Sequence, residues 1–246
     1  MCLESHCALC VGESQMNAFI YTCIVCRRDV LPPPRIVPPG FILTCFTDEP
    51  FHIDNDGWPI VDLVCRHESP TLTARWHKIL PHVHSPSHDY YIWVDGHIIP
   101  KVDLTQLLEF MGSTDIAAFR HRLREDPYEE VDAVSVAGLE SSQVCDAAVA
   151  LLKEEGYPRK DGLHETGILI MRNTESLRAM LDDWWAVLKS TGGSRDQFHF
   201  DRLTRKHSLN VLDLPGTVRD NEFFDWTEHA HPASDDTIER QRLWTV

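Results

Sequence analysis

The sequence predicts a single α/β domain, a β-sheet flanked by helices, and three observations carry that expectation. Short apolar runs alternate with longer amphipathic ones along the chain, the pattern of strands and helices layered into one sandwich. The 246 residues can bury a substantial core and suit one large domain better than two. One run, Tyr90 to Val94, delivers Asp95 into an Asp-Gly turn, as a buried strand does when it presents its carboxyl end at the ligand-binding edge of an open sheet.

The elements follow in order. Residues 1–16 read as a variable lead-in. Phe19 to Val25, Phe41 to Phe46 and Ile60 to Cys65 are apolar and too short for helices, so they read as strands. Pro32 to Pro34 and Pro38-Pro39 stiffen the first connection. Ser69 as N-cap and Pro70 at the first helical position open a helix running to about Val83. Its apolar stripe is Leu72, Trp76, Ile79, Leu80 and Val83, while Arg75, Lys78 and His82 share a neighbouring face that suits a diphosphate at the sheet rim. Asp103 with Gln106 forms a capping-box pattern for a helix through Phe110, Asp115 to Phe119 reads as a strand, and Asp126-Pro127-Tyr128-Glu129 opens another helix. Glu129 and Glu130 read as helix-start electrostatics. A helix over Ser141 to Glu155 and a strand over Thr166 to Met171 come next; Thr174 then starts a helix carrying Leu177, Leu181, Trp184, Trp185 and Leu188, with both tryptophans expected in packing. Ser194 and Gln197 read locally as the ends of a capping box with Asp196 in the first turn. Beyond Leu214 the chain looks mostly irregular, and residues 215–246 are expected to pack on or close the site.

Composition narrows the function classes. With 23 basic against 38 acidic side chains the formal charge is −15, which opposes nonspecific attraction to nucleic acid or an anionic membrane. No apolar run approaches the ~20 residues that span a bilayer, and no charged leader precedes an apolar core, so a cytoplasmic protein is expected. Cys7-x-x-Cys10 and Cys23-x-x-Cys26 stand at zinc-ribbon spacing. Cys23 belongs to the first strand, however, where a structural zinc would compete with core packing, so scattered thiols are expected instead. Asp95 and His97 offer one carboxylate oxygen and one imidazole nitrogen, a set suited to Mn²⁺ and less typical of Mg²⁺.

Motifs recurring in order are more specific than any one of them. Residues 17–48, from Asn17 through Pro34 to Cys45-Phe46-Thr47-Asp48, open the series, followed by Ala74-Arg75-Trp76-His77-Lys78 and the strand to Asp95. His121-Arg122 with Tyr128-Glu129-Glu130, Leu163-His164-Glu165-Thr166-Gly167 with Met171-Arg172, Trp184-Trp185 and Ser194-Arg195-Asp196-Gln197-Phe198 complete it. Over residues 17–205 the chain thereby resembles the TOD/MUCI glycosyltransferase-like family, known from plant mucilage proteins and bacterial relatives.

The resemblance implies a GT-A-like, Rossmann-like nucleotide-sugar domain over 17–214 with a mixed central sheet. It further implies metal-dependent transfer from a nucleoside-diphosphate sugar, a UDP-sugar, to a glycan, lipid or protein acceptor. Carried onto this chain, Asp95 and His97 hold Mn²⁺ (or Mg²⁺), with His229, or alternatively His231, completing the shell. Tyr21, Thr22, Arg75, Lys78, Asp95 and Arg195 bind the donor, and Asp196, Gln197 and Glu165 serve catalysis. Asp196 is then either the base of an inverting reaction or a donor-hydroxyl ligand in a retaining one, and Glu165 an acceptor contact or base. The chain departs from the family after the first strand, where Cys23, Cys26 and Arg27 replace an aliphatic residue and glycines. Two other functions stay open: amide hydrolysis of the alkaline ceramidase type, linked to one family branch, and a catalytically silent nucleotide-sugar or glycan-binding protein.

Overall fold

A central strand buried along its whole length needs neighbours on both edges and layers on both faces, and the first apolar run has them. In the computed structural model, which describes residues 16–26, 28–50 and 57–227, every residue of β1 (Ala18–Ile24) is buried. After it come β2 (Phe41–Thr47), β3 (Ile60–Asp62), α1 (Pro70–Ile79), α2 (Pro81–His84), β4 (Tyr90–Val94), β5 (Ile98–Pro100), α3 (Thr105–Met111) and β6 (Ile116–Arg120). The chain continues through α4 (Pro127–Val136), α5 (Ser142–Glu154), β7 (His164–Arg172), α6 (Glu175–Thr191), α7 (Gln197–Lys206), β8 (Val211–Leu214) and β9 (Phe224–Trp226).

Seven strands form one mixed sheet in the order β3-β2-β1-β4-β7-β6-β8, with β7 antiparallel to both neighbours and every other pair parallel. That reversal positions the site. It sets the amino end of β7 beside the carboxyl ends of β4 and β6, with Val94 opposite Ile168 and Phe119 opposite Glu165. One face of the sheet packs Phe19, Tyr21 and Trp93 against Trp76 of α1, Trp184 of α6 and Phe200 of α7. The other packs Ile20, Ile92 and Ile170 against α3 and the small sheet of β5 and β9. The expected single sandwich of a mixed sheet flanked by helices is therefore present.

Local chemistry explains where elements start and stop, and where the sequence expectations need correction. The Ser69 hydroxyl accepts the Leu72 amide at 3.1 Å, as an N-cap should, but the helix ends at Ile79 because Pro81 has no N–H to continue it, and α2 begins anew. Ser141 and Thr174 cap α5 and α6 as expected. At α4 the Asp126 carboxylate accepts the Glu129 amide at 3.0 Å. Asp103 instead accepts from Thr105, two residues on, so no box forms with Gln106. The capping box at Ser194 is also absent: its hydroxyl and amide both bond Glu140 at 2.8 Å, and Asp196 makes no side-chain cap. The third strand stops at Asp62, short of Cys65, and the stretch past Leu214 contributes β9, paired with β5.

Candidate active site

The turn after β4 is tied down at both ends. The Asp95 amide donates to the Gly167 carbonyl at 2.9 Å, and the Asp95 carbonyl accepts from Ile98 at 2.8 Å. Gly96 is required by close approach, since a Cβ there would lie 2.8 Å from Cγ1 of Ile24. The Trp93 indole donates to Oδ1 of Asp95 at 2.9 Å. Oδ2 rests over Gly167, in space that a Cβ on that glycine would approach to 3.2 Å. His97 is buried beside it, with Nδ1 3.8 Å from Asp29 and its ring edge-on to Trp226 at 5.4 Å.

Below this turn lies a buried charge network. Asp196 pairs with the Lys78 ammonium and with Arg75 at 3.0 Å, and accepts from the Thr166 hydroxyl at 3.1 Å. Its carbonyl accepts the Trp184 indole at 2.9 Å, and the Tyr21 phenol donates to the Lys78 carbonyl at 2.7 Å, so core aromatics fix both partners. Lys78 is 1% and Asp196 3% exposed, so desolvation is severe and pairing must offset it. Burial alone would raise the Asp196 carboxyl, but Arg75 and Lys78 outweigh it and hold the pKa at about 2. Burial lowers Lys78 against the pull of Asp196 and Asp95.

The rim behaves differently. Glu165, half-buried at the start of β7, is raised by burial, against the Arg122 backbone amide and the cations of Arg219 and Arg122. Glu130 at the start of α4 is buried and pairs with Arg124 at 2.9 Å, more than the helix-start role expected for it. The Arg219 guanidinium lies over the Trp226 ring at 5.0 Å.

Floor and rim enclose a cleft of about 270 Å³ at the carboxyl edge of the parallel strands, lined by Arg75, Lys78, Asp95, His97, Glu165, Arg195, Asp196 and Gln197. Eight of the predicted site residues thus converge. Its lining has six Lys and Arg against three Asp and Glu, a cationic surface in a chain of net charge −15. Tyr21 and Thr22 do not reach it: both are enclosed in β1, and Tyr21 supports Lys78 from behind. His82 turns away to Asp182 at 3.1 Å. The Gln197 amide donates to the His164 carbonyl at 2.9 Å and so ties α7 to β7. Thr166, Arg122, Arg219 and Trp226 also line the cleft without having been assigned a role from sequence. Arg122 and Thr166 had a visible cue, because both stand inside motifs of the recurring series, His121-Arg122 and Leu163-His164-Glu165-Thr166-Gly167.

The ligand set for a metal is partial here. Among the described residues no three His, Cys, Asp or Glu side chains form a metal cage, and His229 and His231 lie outside them. So do Cys7, Cys10 and Arg27. Cys23 is buried in β1 and Cys26 exposed.

Residues 58–212 match the family described as TOD1/MUCI70, glycosyltransferase-like domain. The chain belongs to this family. The match to TOD1/MUCI70 runs from just before β3 into β8, taking in Arg75, Lys78, Asp95, Glu165 and Asp196 and leaving Arg219 and Trp226 outside. Among solved structures, the chain is similar to an apo structure of the bifunctional glycosyltransferase WbbM, with 14% identity and a TM-score of 0.45. That alignment covers 83% of this chain and 39% of the other. No curated protein matches.

Proposed function

We propose that this chain is a metal-dependent glycosyltransferase whose donor is a nucleoside-diphosphate sugar, a UDP-sugar. The observation that carries the proposal is the cationic cleft at the carboxyl edge of the parallel strands, with Asp95 at its turn and Glu165 at its rim. Asp95 and His97 would hold the ion, and their mixed oxygen and nitrogen donors favour Mn²⁺ over Mg²⁺. The missing side chain at Gly167 leaves room for the Asp95 carboxylate, which fits that role. A bound ion supplies Lewis-acid neutralisation of the leaving diphosphate.

The remaining duties fall to the chain. Arg75 and Arg195 attract the donor's anionic groups from the cleft wall. Lys78, paired with Asp196 and near Asp95, holds the floor's charge pattern in place. The two carboxylates divide by environment. With a pKa of about 2 and both oxygens engaged, Asp196 is a poor proton acceptor and suits orientation of a donor hydroxyl. Glu165, raised by burial, is the better base for an acceptor hydroxyl.

A panel of UDP-, GDP- and CMP-sugars incubated with Mn²⁺ tests the assignment through release of free nucleotide. Slow UDP release from at least one UDP-sugar, abolished by chelation, is expected. Absence of release and of any thermal stabilisation by every donor would overturn it.

A further inference from the structure

We infer that the acceptor carries an acidic group, a carboxylate or a phosphate, held beside its reacting hydroxyl by Arg122 and Arg219. The inference rests on the glycosyl-transfer assignment above and concerns the rim of the same cleft.

Cations on the floor and in the α4 wall are locked in direct ion pairs with buried carboxylates. Asp196 sits between Arg75 and Lys78, and Glu130 beneath Arg124. At the mouth the cations are exposed instead. Arg122 and Arg219 come from two separate segments, the turn after β6 and the turn before β9, and both are exposed at the cleft. The carboxylate that both act on is Glu165, so two cations share one anion around the group proposed to meet the acceptor hydroxyl. Neither arginine stands alone on a flexible loop. Arg219 is stacked on Trp226, which is itself braced by His97. The turn carrying Arg122 is folded around His121, whose Nδ1 accepts the Leu123 and Arg124 amides at 3.1 and 3.0 Å.

A neutral acceptor would leave this surplus facing water across an otherwise ordered mouth. An acidic group on the acceptor would receive charge-assisted hydrogen bonds from planar guanidinium forks, which match carboxylate and phosphate geometry. The pairing also has a kinetic logic, because an anion drawn to the rim brings its neighbouring hydroxyl to Glu165.

Calorimetry on the full chain separates this inference from the one beneath it. UDP with Mn²⁺ is titrated first, and failure of that step counts against the transferase assignment. The UDP-saturated protein is then titrated with three probes: a uronic-acid trisaccharide, a hexose phosphate and a neutral trisaccharide. At least tenfold tighter binding of one charged probe is expected, and which of them binds identifies carboxylate or phosphate. The double variant Arg122→Ala/Arg219→Ala should erase that preference while leaving UDP affinity unchanged. Equal binding of charged and neutral probes, binding of none, or a preference that survives in the double variant would overturn the inference.

Discussion

The floor and the rim of the cleft hold the same kinds of side chain and put them to opposite uses. On the floor, Asp196 is buried between Arg75 and Lys78, bonded to Thr166, and depressed to about 2. At the rim, Glu165 is half-buried among exposed arginines and raised. A carboxylate locked by two cations builds structure and charge, whereas one lifted by burial is ready to take a proton. Environment, and not residue type, divides the labour.

The comparison breaks most visibly at the floor. Asp196→Asn leaves the Lys78 ammonium buried without its carboxylate, a change that costs about 3–5 kcal/mol when one partner of a buried pair is removed. Thermal and urea unfolding measure it, and a loss under 1 kcal/mol would show that the network is not what holds α7 to α1. At the rim the pattern inverts. Glu165→Gln should keep the melting temperature close to that of the parent and lower turnover by roughly 10²-fold or more. Because Glu165 must be ionised to act, activity should fall as pH drops through a value above the ordinary glutamate range, and the variant should lack that acid limb.

Much of this division was legible in the sequence, and the reasons for the exceptions are specific. The strand-to-turn delivery of Asp95 and the cation spacing of Arg75 and Lys78 both rest on local periodicity, which fixes which face a residue occupies. Tyr21 and Thr22 were misplaced because β1 is buried on both faces, and a continuous apolar run does not reveal which of its positions reach an edge. Ser194 looked like a cap because short-range spacing favours one, yet Glu140, 54 residues away, captures its hydroxyl. Arg219 had no signal at all, since only the pairing of β9 with β5 brings that segment over the cleft. Cys26 had a cue of the opposite kind. It adopts φ 55°, a conformation favourable to glycine, with its amide held by Asp48 at 2.9 Å.

Smaller effects sharpen the contrast between buried and exposed charge. His77 and His84 are kept neutral by burial, with pKa values of about 4 against 6.5 for the free side chain. The unfolded chain therefore takes up protons at these positions before the folded one does, and stability is lost as pH falls from about 6.5 towards 4. His164 has the opposite sign. Burial opposes its charge, but Asp201 and Asp213 raise its pKa, so its contribution is complete below the unfolded value and fades as pH rises through the folded one. Urea midpoints across pH should accordingly fall on the acid side, and the cost of His164→Gln should shrink in alkali. Smallest of all, Cys26→Ser at an exposed position should change stability by no more than about 0.5 kcal/mol, and chelators should leave the melting temperature of protein purified without added metal unchanged.

In the transferase proposed above, the Asp95 turn would hold a metal on which nucleotide binding depends. Calorimetry of UDP with the parent chain and Asp95→Ala, each with and without Mn²⁺, tests it most directly. Mn²⁺ should strengthen UDP binding at least tenfold in the parent chain and have no effect in the variant. Equal UDP affinity with and without Mn²⁺ in the parent chain would contradict it.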